Sequence, residues 1–274
     1  MTDTFNVLFI GDIVGNPGRR LCAAVIPLLK KEFNVEFVIA NGENAAHGSG
    51  LTKRITSELL SAEIDVITSG DHIYKNNDIY EVLDVSNKLI RPFNYPPQSR
   101  GKGFTIISDK KGRKIAVINL LGHVFMDVPH NPFTVIDDLI NEVSKETNLI
   151  FIDFHAEATS EKIAMGWHLD GRITCLCGSH THVQTSDNRV LPQGTAYMTD
   201  LGMTGPFASV IGREIEPVVK RFITSMPMKF NVASEDLRLS GAVIEVEEGT
   251  GKAVSIKRVQ RTITGSPLNA ECGS

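Results

Sequence analysis

The sequence predicts a layered α/β domain with mixed sheets, and three observations carry that expectation. Short β-rich apolar runs (VLFIGD, VIANGEN, VITSGDH, LIFIDFH and RITCLCGSHTH) each stop at a glycine or at a residue able to bind metal. Amphipathic stretches with apolar residues at helical spacing lie between them, the alternation that builds βαβ units and a parallel sheet. Two further pairs of apolar runs are closed by turn residues and read as antiparallel hairpins.

Taken in order, the first strand covers Val7 to Gly11 and is followed by a helix from about Pro17 to Phe33. Pro17 suits the first helical turn, where its missing N–H has no partner to lose. Leu21, Val25, Leu28 and Leu29 put one apolar face of that helix on the sheet. A second strand, Phe37 to Ala40, enters the loop NGENAAHGSGLT, and Thr52 is placed to cap the next helix. Asp65 to Thr68 is the third strand, followed by a helix around Asp78 to Val85. FTIIS and KIAVINLL flank DKKG as a hairpin with glycine at the turn. Asn131 and Pro132 read as the cap and first residue of a helix reaching about Lys145. Strand LIFIDFH, a helix from about Ser160 to Gly171 and strand RITCLCG follow, and the tail from Ala242 to Val259 is a second hairpin with EEGTGK at its turn.

The 274 residues show no Pro/Gly/Ser-rich linker and no internal repeat, so the expectation is one domain over 1–274. The hairpin at about 240–262 belongs to it, and 263–274 form a loose tail. The N-terminus enters a strand directly and lacks the basic region of a signal peptide. No apolar run approaches the roughly 18 residues of a membrane helix, so a cytoplasmic location with no membrane partner is expected. Net charge is −4 with Lys and Arg dispersed, which argues against a surface for stable nucleic-acid binding. Cys22, Cys175, Cys177 and Cys272 have no disulfide-framework spacing and read as reduced thiols.

The chemistry lies at the strand ends. In an open α/β sheet, sites form just beyond the carboxyl ends of the strands. Here those ends carry Asp12, Glu43, Asn44, Asp71, His72, His155, His180 and His182. A single His-x-His has a bland reading as two loop histidines on backbone carbonyls; with carboxylates and another imidazole at the same rim, metal ligation becomes the better account. Mixed carboxylate and imidazole donors suit Mn, Fe or Zn over Mg or Ca. The candidates outnumber the four to six ligands of one ion, which points to two ions sharing a carboxylate. Two ions about 3.5–4 Å apart clamp the oxygens of a phosphoryl displacement. Cys175 and Cys177 with His180 and His182 form a minor alternative, a zinc site; buried cysteine as a small hydrophobe is the bland reading. His47, near Glu43, is a weak candidate for substrate contact. The glycine-rich GDIVGNPG and HGSG match no phosphate-loop fingerprint. Met165 and Trp167 read as packing or oligomer contacts. The loop with His123, Phe125 and His130 can border the pocket, with no role specified.

GDIVGNPGR, ANGENAAHGSGLT, GDH and the block from Asp153 to Glu214 resemble the YmdB-like branch of the calcineurin-like metallophosphoesterases, from about Val7 to Phe222. The resemblance implies an α/β/β/α sandwich and a dinuclear centre, with iron first and manganese second as the metals. It places Asp12, Asn44 and His182 on one ion, His155, His180 and Asp71 on the other, and Glu43 between them, with His72 as general acid. The activity implied is hydrolysis of 2′,3′-cyclic nucleotides to nucleoside 3′-phosphates by a metal-bridging hydroxide. A homodimer or homotetramer is implied as well. Alternatives on the same residues are a phosphomonoesterase, a broad phosphodiesterase, or a metal- or nucleotide-sensing regulatory protein with weak activity.

One position departs from the family pattern. Its usual GNH is Gly70-Asp71-His72 here, so a neutral amide is replaced by a carboxylate. Asp12, Glu43 and Asp71 would bring three negative charges against the four positive charges of two divalent ions. With a bridging hydroxide the site approaches neutrality, which predicts firmer metal retention and weaker attraction for an anionic ester; the bland alternative, that Asp71 ligates through one oxygen and changes little, stands beside it.

Overall fold

The computed structural model describes residues 3–266. The expected loose tail therefore lies largely outside the described residues, and so does Cys272. Two mixed sheets lie face to face between two layers of helices. The first sheet runs β2 (Asp12–Ile13), β11 (Met203–Pro206), β12 (Leu237–Glu247), β1 (Thr4–Ile10), β3 (Val35–Asn41) and β4 (Val66–Thr68), with β13 (Ala253–Thr262) also paired to β12. The second runs β5 (Phe104–Ser108), β6 (Lys114–Leu121), β7 (Ile150–His155), β8 (Cys175–Ser179), β10 (Ala196–Met198) and β9 (Arg189–Val190).

Side-chain alternation along the strands explains the layering. Leu8, Ile10, Val38, Ala40 and Ile67 face outward to α1 (Gly15–Phe33), α2 (Lys53–Ser61) and α3 (Ile79–Val85). Their neighbours Val7, Phe9, Phe37, Ile39 and Val66 face inward and meet Val117, Phe151, Cys175, Cys177 and Met198 of the second sheet. The other face of that sheet, with Ile118, Ile152 and Leu176, packs on α4 (Pro132–Val143) and α5 (Thr159–Leu169). Strands buried on both faces have no polar side to show, which is why they read as unbroken apolar runs.

Most element boundaries fall within two or three residues of expectation. Thr52 caps α2 by accepting from the Ile55 N–H at 3.3 Å, and Asn131 caps α4 by accepting from the Phe133 N–H at 2.9 Å. α1 begins two residues before Pro17, and the C-terminal hairpin is longer than its apolar pattern. β2, β9, β10, β11 and α6 (Ile215–Thr224) were not anticipated.

Strands β1, β3 and β4 are mutually parallel, as are β6, β7 and β8. Their carboxyl ends therefore open on one rim. Just beneath it a buried polar link joins the sheets: Asn41 Nδ2 on β3 donates to Asp153 Oδ2 on β7 at 2.8 Å, and the Thr68 hydroxyl on β4 donates to the same oxygen. No helix among the described residues is long and apolar enough to cross a membrane.

Candidate metal centre

All the strand-end candidates meet at this rim. Asp12, Glu43, Asn44 and His155 are buried, while Asp71, His72, His180 and His182 are partly exposed at the mouth. A cavity of about 290 Å³ lined by Glu43, Asn44, His72, His180 and His182 opens over them. Gly70 is required by close approach: a Cβ there would collide with the Glu43 carboxylate and the His155 ring.

Hydrogen bonds orient each imidazole. His182 Nδ1 donates to the Ile211 carbonyl at 2.9 Å, leaving Nε2 to face Asn44 Nδ2 at 3.0 Å and Asp12 Oδ1 at 3.8 Å. The Ser179 hydroxyl donates to Asp153 Oδ1 at 2.6 Å, so it accepts from His155 Nδ1 at 2.9 Å. His155 Nε2 is thereby turned to Asp71 Oδ1 and Glu43 Oε1, each at 3.6 Å. His180 Nε2 donates to Glu157 Oε2 at 3.1 Å, which turns its Nδ1 toward His155 Nε2 at 3.0 Å. Two imidazole lone pairs at that separation repel unless a proton or a cation lies between them.

The carboxylates make the same demand. Asp12 Oδ1 and Glu43 Oε2 are buried without a hydrogen-bond donor among the described residues, and a buried anionic oxygen left unpaired is costly. Burial pushes Glu43 up, yet His155 and His72 hold it well below the usual carboxylate range. Burial pushes His155 down, yet Glu43, Asp71 and Asp12 hold it well above the usual histidine value. A proton on His155 answers the surplus negative charge; a divalent ion answers it better. Candidate ligand atoms of Asp71, His155 and His180 lie within 4.8 Å of one another, as do those of Glu43, Asp71 and His72. The donor set thus fits cations, with Asp71 common to the two groups.

His72 is held by Glu43 and Asn44: its Nδ1 lies 3.0 Å from Glu43 Oε1 and 3.1 Å from Asn44 Oδ1, and its backbone N–H donates to Glu43 Oε1 at 3.1 Å. The hydrogen bond to Glu43, against the effect of burial, raises its pKa above the usual histidine value. His47 is placed differently. Its exposed side chain lines a neighbouring cavity with Asn16 and Phe230, and its carbonyl accepts from Arg213 Nη1 at 3.0 Å. Cys175 and Cys177 do not join His180 and His182; they are buried between the sheets with their sulfurs 3.5 Å apart, which corrects the zinc-site alternative.

Several supporting residues had no sequence signal. His180 and His182 both occupy the left-handed region, at φ +99° and +65°, a strained backbone for non-glycine residues that persists only where surroundings impose it. The fully buried Lys162 on α5 imposes it: Nζ donates to the Ser179 carbonyl and to Asp200 Oδ2, each at 2.7 Å. Asp200 Oδ2 in turn accepts from the Thr181 N–H at 3.1 Å and hydroxyl at 2.8 Å. Only Asp153, a charge inside an apolar run, could have been suspected from sequence.

The chain matches the family model described as "YmdB-like protein" over residues 8–259. It is 49% identical over 253 residues to the 2′,3′-cyclic-nucleotide 2′-phosphodiesterase of Bacillus subtilis, covering 92% of this chain and 96% of that one. A crystal structure of a novel phosphatase from Mycoplasma pneumoniae superposes with a TM-score of 0.88 at 34% identity, covering 95% and 94% of the two chains. A crystal structure of a hypothetical protein from Thermus thermophilus gives 0.86 at 38% identity, covering 93% and 98%.

Proposed function

The chain belongs to the YmdB-like protein family, and from that premise we propose that it is a dinuclear-metal phosphodiesterase that opens 2′,3′-cyclic nucleotides to nucleoside 3′-phosphates. The observation that carries the reading is the orphaned pair of carboxylate oxygens, Asp12 Oδ1 and Glu43 Oε2, buried among imidazole nitrogens turned toward them. The relative from B. subtilis bears the corresponding name at 49% identity.

Asp12, Asn44 and His182 would hold one ion, Asp71, His155 and His180 the other, with Glu43 shared. Bound there, the ions supply Lewis acidity, lowering the pKa of coordinated water and taking up charge on the phosphoryl oxygens. The protein contributes the rest. Ile211, Ser179 and Glu157 fix which nitrogen of each ligand imidazole faces the centre, so little reorganisation is left for the reaction step. His72 keeps Nδ1 on Glu43 and Asn44, which leaves Nε2 to deliver a proton to the departing ribose 2′-oxygen. Iron is the metal we favour, with manganese second.

The test is a time course of 2′,3′-cyclic AMP with metal-loaded protein, resolved by chromatography, with His72→Ala run in parallel. Catalytic accumulation of 3′-AMP is expected, slowed about 10²–10⁴-fold in the variant at unchanged metal content. Onward conversion to adenosine would favour the phosphomonoesterase reading. No product with both ions bound would overturn the proposal in favour of another ester or a sensor.

A further inference from the structure

Arg91 lies in the segment between β4 and β5, is only 5% exposed, and has no carboxylate partner among the described residues. Its Nη1 is used, donating to the carbonyls of Pro92 at 2.6 Å and Phe93 at 3.1 Å. Nε has no partner, and no hydrogen bond runs from Nη2 among the described residues. Those two nitrogens form the edge of a guanidinium that takes an oxyanion in a two-pronged grip. Burying a cation costs free energy that two carbonyl contacts at its far side do not offset. A turn-stabilising role therefore accounts for Nη1 and leaves the Nε–Nη2 edge unexplained.

Arg91 lines a cavity of about 550 Å³ that shares no lining residue with the metal-centre cavity, and its size is that of a small-molecule site. The chemistry of its walls is graded. Arg91 and the exposed Lys102, joined by the Arg91 N–H to Lys102 carbonyl bond of 3.0 Å, make one wall cationic. Phe93 and Phe104, packed edge to face at 6.2 Å, supply an apolar aromatic surface. Asp138 and Glu142 on α4 make the other wall acidic. Lys102 forms no ion pair with either carboxylate among the described residues, so both ends remain available to a ligand.

We propose that this cleft binds a nucleotide-class ligand, a planar amino-bearing heterocycle carrying phosphate, at a site separate from the metal centre. The phosphate meets Arg91 and Lys102, the ring lies against Phe93 and Phe104, and the exocyclic amino group donates to Asp138 or Glu142. Two cations favour phosphate over the singly charged carboxylate with which it shares this chemistry. The site adjoins the catalytic rim, since the Ser69 hydroxyl, two residues before Asp71, donates to the Ile90 carbonyl at 2.9 Å.

The experiment is calorimetric titration of chelator-stripped full-length protein with adenosine 5′-monophosphate, adenosine, inorganic phosphate and 4-aminobenzoate. Adenosine monophosphate is expected to bind once per chain, about tenfold or more tighter than adenosine, because hydrogen bonds to a charged group carry that much. Arg91→Gln should lose about tenfold, Lys102→Gln a few-fold, and Asp12→Asn nothing. Tighter binding of aminobenzoate would overturn the phosphate assignment. Adenosine as tight as its monophosphate, no binding at all, or binding lost in Asp12→Asn but kept in Arg91→Gln would overturn the site. Should Arg91→Gln fail to fold, the surface variant Lys102→Gln decides alone: unchanged affinity overturns the proposal.

Discussion

Asp71 is the single residue whose charge would set the character of the proposed centre. Its Oδ1 lies 3.6 Å from His155 Nε2, and its side chain is 37% exposed. A carboxylate there binds cations more firmly than an amide and repels an anionic substrate. Asp71→Asn should therefore lower KM for a cyclic nucleotide and release metal to a chelator more readily than the parent. Steady-state kinetics alongside metal analysis during chelator titration separate the two effects. An unchanged KM would show that Asp71 bears on the ions alone. His155 needs no such trade: sealed at 1% exposure and oriented from behind by Ser179 and Asp153, it is committed to the centre by packing.

At the scale of elements, α5 and β10 work together through a buried ion pair under the His-Thr-His turn. Lys162 on α5 and Asp200 just past β10 are both fully buried and hold the Ser179 carbonyl and Thr181 between them. Lys162→Met would leave Asp200 buried without its partner, at a cost of about 3–5 kcal/mol, and would free the strained backbone of His180 and His182. Guanidinium denaturation should record that loss, and bound metal should fall with it. A variant that keeps both its stability and its metal would remove the pair from the support of the centre. This clamp also marks how far the sequence could be read. VLFI, VIAN, VIT, IFIDFH and CLCGS announced their strands and the rim because strands buried on both faces leave an apolar run with a ligand at its end. β2 and β11 are too short to leave a period, and Ile211 serves His182 through its carbonyl, which has no signature in a side chain. α6 was missed for another reason: its Ile215, Val219, Phe222 and Ile223 are exposed and Val218 is its one buried residue, so the core among the described residues hardly demands its pattern. Lys162 was illegible because a lysine on a helix reads as solvent-facing until the fold supplies an aspartate.

Across the whole molecule, the two sheets are tied at both ends of their strands. The rim end carries the Asn41–Asp153 link and the candidate ligands; the opposite end is held by Arg113, in the turn between β5 and β6. Its guanidinium reaches the first sheet through Glu36 at 2.7 Å and the β12–β13 turn through Glu248 at 3.4 Å, pairs with Asp109 in its own turn, and lies 4.0 Å over the Phe5 ring. Arg113 and Asp109 side chains are 6% and 2% exposed, so this is an interior tie. Burial pushes the Asp109 and Glu36 carboxyls up, but contacts with Arg113, joined at Glu36 by Lys111, outweigh it and hold both below their usual values. Carboxyls depressed in the folded state contribute stability that is fully present above their unfolded pKa values, about 3.9 and 4.3, and is lost as pH falls through the lower folded values. Arg113→Met should cost about 3–5 kcal/mol at pH 7, because it strands Asp109 in the interior. The gap to the parent should narrow in acid, since protonating Asp109 relieves the variant while it weakens the parent's tie. Denaturant titrations of both proteins at pH 7 and near pH 3 check the sign. An equal gap at the two values would mean that Arg113 joins the sheets by its packing on Phe5 and not by its charge.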